Sequence, residues 1–140
     1  MKPIVIDPSA AAAWVLPDEA QPAAHDLYAQ ARLVPDLFHA PQLWIWEMGN
    51  VLIMGHRRER LSAQDVERGL ELLAAARVVF DPVPSAHRQA QIARLALAHD
   101  LTFYDAAYLE LVLRLNGQLA SRDRQLLSAA AACGIVCLTF

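Results

Sequence analysis

"PIVIDPSAAAAWVLP" (residues 3–17) decides how the rest of the chain is read. Residues 3–7 are a short run rich in β-branched side chains that ends in Asp7, the composition of a strand. Ser9 then precedes "AAAAWVL", a short helix stopped by Pro17. A strand that gives way at once to a helix raises the question of whether the alternation persists.

It does. Residues 19–32 read as a helix and "LFHA" (37–40) as a short strand. A long helix is expected from Pro41, which suits a first turn, to about Arg58. Ser62 and Asp65 have the pattern of a capping box and open a helix to about Ala76. "VVF" (78–80) reads as a strand and Ser85–His99 as a helix. "YDAAYLELVLRL" (104–115) is a further helix, which Gly117 is expected to end. "QLAS" (118–121) and "IVCLT" (135–139) read as strands on either side of a helix at 124–132. Strands alternating with helices predict a single-domain α/β/α sandwich with a central parallel sheet over residues 1–140. No repeat, low-complexity stretch or linker interrupts it.

Composition narrows the class. The 140 residues are 56% hydrophobic and 19% charged, enough for one buried core and too apolar for a disordered chain. No apolar run reaches the ~20 residues of a membrane span. "MKPIVID" is too short and too acidic for a signal peptide, so a soluble cytoplasmic protein is expected. A net charge of −3 argues against a broad electrostatic grip on nucleic acid. Cys133 and Cys137 lack a second Cys/His pair at ligand spacing and read as small buried residues.

The acids fall where ligands bind in such folds, outside the carboxyl ends of parallel strands. Asp7 follows the first strand, Asp123 follows "QLAS", and Asp105 opens the helix after "LTFY". Each taken alone also reads as a helix cap. Glu47 does not. It is the only charged residue in "QLWIWEMGNVLIM" (42–54), mid-helix, with Leu43, Trp44 and Val51 as helical neighbours and Asn50 on its face. A buried ionised carboxylate without a partner costs several kcal/mol. Glu47 therefore faces water or a pocket that supplies positive charge. If all four acids converge, each pair about 5 Å apart repels by roughly 3 kcal/mol at an effective dielectric near 20. A divalent cation relieves such a cluster, and hard oxygen ligands suit Mg²⁺ or Mn²⁺. That chemistry activates water and stabilises the leaving oxygen of a phosphodiester.

"IVIDPSA", "PQLWIWEMGNVL", "LTFYDAAYLEL" and "LASRDRQL" stand in the order and spacing of the PIN-domain family. More narrowly, the chain resembles the VapC toxins of bacterial toxin–antitoxin pairs over nearly its whole length. The resemblance implies an acidic quartet at Asp7, Glu47, Asp105 and Asp123, supported by Ser9, Asn50 and Ser121. It implies metal-dependent endoribonuclease activity with Mg²⁺ or Mn²⁺, an RNA substrate, a cognate VapB-type antitoxin whose tail fills the groove, and a homodimer. Two departures stand out. Pro8 stiffens the turn after Asp7 and is expected to shift Ser9; Gly49 weakens its helix and is expected to serve close helix packing.

Other residues carry two readings each. Arg57 and Arg58, in "GHRRER" (55–60), either complement the helix dipole or contact RNA phosphate. Arg122 and Arg124 flank Asp123 and either reach phosphate or pair locally. Trp14, Trp44 and Trp46 are expected to serve core or dimer packing rather than base stacking. A phosphoaspartate receiver wants paired acids after its first strand, and a haloacid-dehalogenase-type phosphatase wants Asp-x-Asp where this chain has Ser9. A housekeeping PIN-fold nuclease and a non-catalytic PIN-fold binding module remain the rivals.

Overall fold

The first strand of the chain becomes the middle of the sheet. In the computed structural model, which describes residues 1–140, β1 (Ile4–Ile6) lies between β2 (Phe38–Pro41) and β4 (Gln118–Ala120); β3 (Val78–Asp81) and β5 (Cys137–Leu138) form the edges. All pairings are parallel, in the order β3-β2-β1-β4-β5. Ile4, Val5 and Ile6 are all buried, so β1 shows no polar face, as expected of a strand covered on both sides.

The helices are α1 (Pro8–Val15), α2 (Pro22–Leu33), α3 (Leu43–Arg57), α4 (Ala63–Ala75), α5 (Ala86–His99), α6 (Phe103–Leu115) and α7 (Arg124–Ala132). The chain steps from β1 to β2 to β3, then reverses to β4 and β5. With right-handed crossovers, that reversal sends the connecting helices to opposite faces. The contacts divide accordingly: α1 packs with α2, α3 and α4, whereas α6 packs with α5 and α7. The expected sandwich of helices about a central parallel sheet is therefore present. Its topological switch point lies between the carboxyl ends of β1 and β4.

Several boundaries differ from expectation. Pro41 ends β2 instead of opening α3, which starts at Leu43. Pro41 pairs only with Asp81 of β3, and its missing N–H is tolerated at the last position of the strand. The helix expected over 19–32 is a single 3-10 turn, Pro17–Glu19, followed by α2 from Pro22. α6 ends not at Gly117 but at Asn116, which takes the left-handed conformation at φ 50°. Gly117 is required for a different reason, since a Cβ there would lie 2.5 Å from the Pro3 carbonyl oxygen. Gly49 has nothing within 4 Å, so it serves no close packing within the chain; the tight approach is Gly69 of α4 against Leu52 of α3. The Ser62–Asp65 capping box is present. Trp14 packs on Tyr28 and Phe38, and Trp44 on Phe80, but Trp46 is 76% exposed. Cys133 and Cys137 are unbridged and only half-buried. No helix is long and apolar enough to cross a membrane.

Candidate active site

Asp7 stands at the carboxyl end of β1 and caps α1 by accepting the Ala10 N–H at 3.1 Å. Capping occupies only part of its carboxylate. The Ser9 hydroxyl donates to Oδ1 at 2.7 Å, and the fully buried Ser121 hydroxyl donates to Oδ2 at 2.8 Å. Each serine also accepts a backbone N–H from the turn after β4: Ser9 from Arg122 at 2.8 Å, Ser121 from Asp123 at 3.0 Å. The turns after β1 and β4 are thereby laced together across the switch point. Pro8 takes the first helical position, which its fixed φ suits, and Ser9 beside it reaches Asp7.

Asp123 caps α7 through Leu126 N at 3.0 Å. Asp105 lies in the first turn of α6, beneath the Thr102 cap, whose hydroxyl accepts the Asp105 N–H at 3.1 Å. The C-terminus of α6 meets the start of β1 through the Gly117–Pro3 contact, so its N-terminus returns to the carboxyl edge of the sheet. Glu47 projects from α3 and accepts a hydrogen bond from the Tyr108 hydroxyl at 2.7 Å. Tyr108 is wholly buried in α6, so this bond ties the two helical layers at the sheet edge.

The four acids form one electrostatic group. Burial is the main cause that raises the pKa of Asp7; the Ser9, Ser121 and Ala10 hydrogen bonds oppose it, and the charge of Asp123 adds to it. Burial likewise raises Glu47 against the Tyr108 hydrogen bond, with Asp105 and Asp7 adding repulsion. Asp105 is raised by burial and by Asp123. The repulsions close a ring, Asp7–Glu47–Asp105–Asp123, in which every acid is coupled to two others. None of the four takes part in a salt bridge.

The donor set fits a hard divalent cation: it is all oxygen, negatively charged and without its own counter-charge. The arrangement is open, since no three acidic, His or Cys side chains are gathered closely enough to enclose one ion. Mg²⁺ does not require such an enclosure, since it keeps several waters and is held by one or two carboxylates together with substrate phosphate. Asp7, Glu47, Asp105 and Asp123 are the residues that would hold it.

The supporting residues divide. Ser9 and Ser121 touch Asp7, whereas Asn50 is exposed and lines a neighbouring cleft. Arg122 is tied down: its Nε donates to the Ser9 carbonyl at 2.8 Å and its guanidinium pairs with Glu19. Arg57, Arg58 and Arg124 are exposed. Sequence reasoning missed Tyr108 and Glu19. The available sign of Tyr108 was its place three residues after Asp105, on the same face of α6; Glu19 left none.

The chain matches the PIN domain over residues 4–132. It is 33% identical over 127 residues to Ribonuclease VapC3 of Pyrobaculum aerophilum, covering 88% of this chain and 91% of that protein. Its fold is similar to the crystal structure of PAE2754 from Pyrobaculum aerophilum, with a TM-score of 0.71 and 27% identity over 97% of this chain and 83% of the other.

Proposed function

Since this chain belongs to the PIN-domain family, we propose that it is a metal-dependent endoribonuclease that hydrolyses RNA phosphodiesters, and the toxin of a VapBC-type pair. The observation that carries the reading is the ring of four mutually repelling carboxylates at the switch point, none of them neutralised by a basic side chain. Its similarity to a protein called a ribonuclease supports the substrate class.

A bound Mg²⁺ or Mn²⁺, held by Asp7, Glu47, Asp105 and Asp123, would supply water activation and would neutralise charge on the phosphodiester. The residues of the chain do the rest. Ser9 and Ser121 hold both oxygens of Asp7 in a fixed orientation. Tyr108 orients Glu47 and leaves its second oxygen for ligation. Asp105 and Asp123 complete the anionic wall, and one carboxylate assists removal of the proton from the attacking water. The partners in this reading are RNA, a cognate VapB-type antitoxin that brings a basic side chain to the acids, and a second copy of the chain, all in the cytoplasm.

A cleavage assay on total cellular RNA tests it, with Mg²⁺ or Mn²⁺, with EDTA, and with Asp7→Asn. Cleavage is expected only for the wild type with metal. Equal cleavage in all three would remove the four-carboxylate reading.

A further inference from the structure

Next to the acids lies a second cleft of about 520 Å³, lined by Ser9, Glu19, Asn50, Arg58, Arg60 and Arg122 among others. Ser9 belongs to both sites: its hydroxyl holds Asp7 and its carbonyl holds Arg122. Of the three arginines in this concavity, Arg60 and Arg122 share Glu19 as a counter-ion, Arg60 pairs with Asp18 as well, and Arg58 has no ion pair. Glu19 Oε2 accepts from Arg60 Nη2 at 2.7 Å and its Oε1 accepts from Arg122 Nη2. One carboxylate thus spans two guanidiniums, one through each oxygen. A phosphodiester offers the same pattern, one negative charge shared by two non-bridging oxygens.

Neither arginine depends on Glu19 for its position. Arg60 is held independently by Asp18, through Nε–Oδ2 at 2.8 Å and Nη2–Oδ1 at 2.7 Å. Arg122 is held by the Ser9 carbonyl at 2.8 Å and lies over the Phe140 ring, 5.8 Å from its centroid. Glu19 itself sits on the single 3-10 turn Pro17–Glu19, outside the core. Each guanidinium thus keeps a contact of its own apart from Glu19. Arg58, exposed and without an ion pair, faces the same cleft.

We propose that this cleft binds a backbone phosphate of the RNA beside the acidic site, and that Glu19 occupies it in the free protein as a displaceable stand-in for that phosphate. The choice of RNA as ligand rests on the ribonuclease reading; the geometry of the anion site does not.

The test is the affinity for a short single-stranded RNA oligonucleotide, measured by fluorescence anisotropy in EDTA at several salt concentrations. Glu19→Gln should tighten binding several-fold and steepen the salt dependence by about one phosphate contact. That gain should vanish in the Glu19→Gln, Arg60→Ala double variant. Arg58→Ala, which breaks no ion pair, should weaken binding with its melting temperature unchanged. Glu71→Gln, an equal change of net charge on the exposed side of α4, should leave affinity unchanged. The proposal is overturned if Glu19→Gln behaves like Glu71→Gln, if its gain survives in the double variant, or if neither wild type nor Glu19→Gln binds the RNA. Wild-type cleavage with metal is measured alongside. Cleavage with Glu19-independent binding removes the subsite alone; Glu19-dependent binding without cleavage removes the ribonuclease reading alone.

Discussion

Asp7, Glu47 and Asp105 all bind a proton more tightly in the fold than in the unfolded chain, chiefly through burial. The folded state therefore holds the extra protons, and stability falls as pH rises from the ordinary carboxylate range through the raised values. Asp18, Glu19 and Asp65 are shifted downward, so their contribution is already complete above that range and is lost only in acid. Metal-free protein is thus expected to melt at a lower temperature at about pH 7.5 than at about pH 5. Asp7→Asn, which keeps a good capping side chain, should flatten that slope and raise the neutral melting temperature; a scanning-calorimetry series that shows the opposite slope would refute this account of the acids. Tyr108→Phe is the second residue-scale case. The Tyr108 hydrogen bond lowers the Glu47 pKa, so its loss should move the acid limb of the cleavage rate profile to higher pH. An unmoved limb would mean that Tyr108 only fills space. The four acids were legible because strand ends and a stranded mid-helix charge are local signals. Tyr108 showed only its helical spacing from Asp105, and Glu19 showed nothing, since their partners lie 61 and 103 residues away and such contacts leave no periodicity.

At the scale of elements, what the sequence made plain was the identity of nearly every strand and helix; what it obscured was where some begin and why some end. The Ser62–Asp65 box could be read because both halves of it lie within one turn. Pro41 misled because proline suits both a helix start and the last residue of a strand, and only the pairing with Asp81 decides between them. Gly117 misled for a similar reason. The helix is stopped by Asn116 in the left-handed conformation, and the glycine is needed because the start of β1 passes over it. Gly117→Ala would bring a Cβ to 2.5 Å from the Pro3 carbonyl oxygen, a backbone atom that cannot rotate away. Overpacking of this kind costs about 1–3 kcal/mol, and urea unfolding should show a loss of that size. Because Gln118 N donates to the same Pro3 oxygen at 2.8 Å, the loss should fall on the β1–β4 pairing that brings Asp7 to Ser121, and cleavage should drop with it. An unchanged midpoint would show that the strand has room to shift.

For the whole molecule, α3 bears on assembly. Its inner face carries Trp44, Met48 and Leu52 into the core, yet its outer face is also apolar: Ile45, Trp46 and Ile53 are 52%, 76% and 44% exposed. Gly49 stands between Ile45 and Ile53 one helical turn from each, with nothing within 4 Å. A stripe of large apolar side chains with a small residue at its centre lets two helices approach closely, and a two-fold axis through Gly49 would make the patch its own complement. Between Ile45 and Ile53 the stripe carries no charge, and the exposed Arg57 lies only at its C-terminal end, so its middle offers RNA no phosphate contact. If the chain forms the proposed homodimer, this face of α3 is where we place the contact, and a stable one of this kind buries about 800 Å² per partner. Light scattering at tens of micromolar should give twice the 15.4 kDa of one chain. Ile53→Asp should give a single chain with an unchanged far-UV spectrum, because the side chain it replaces is outside the core. A wild type that scatters as one chain would rule out the homodimer, and a dimer indifferent to Ile53→Asp would move the contact elsewhere on the surface.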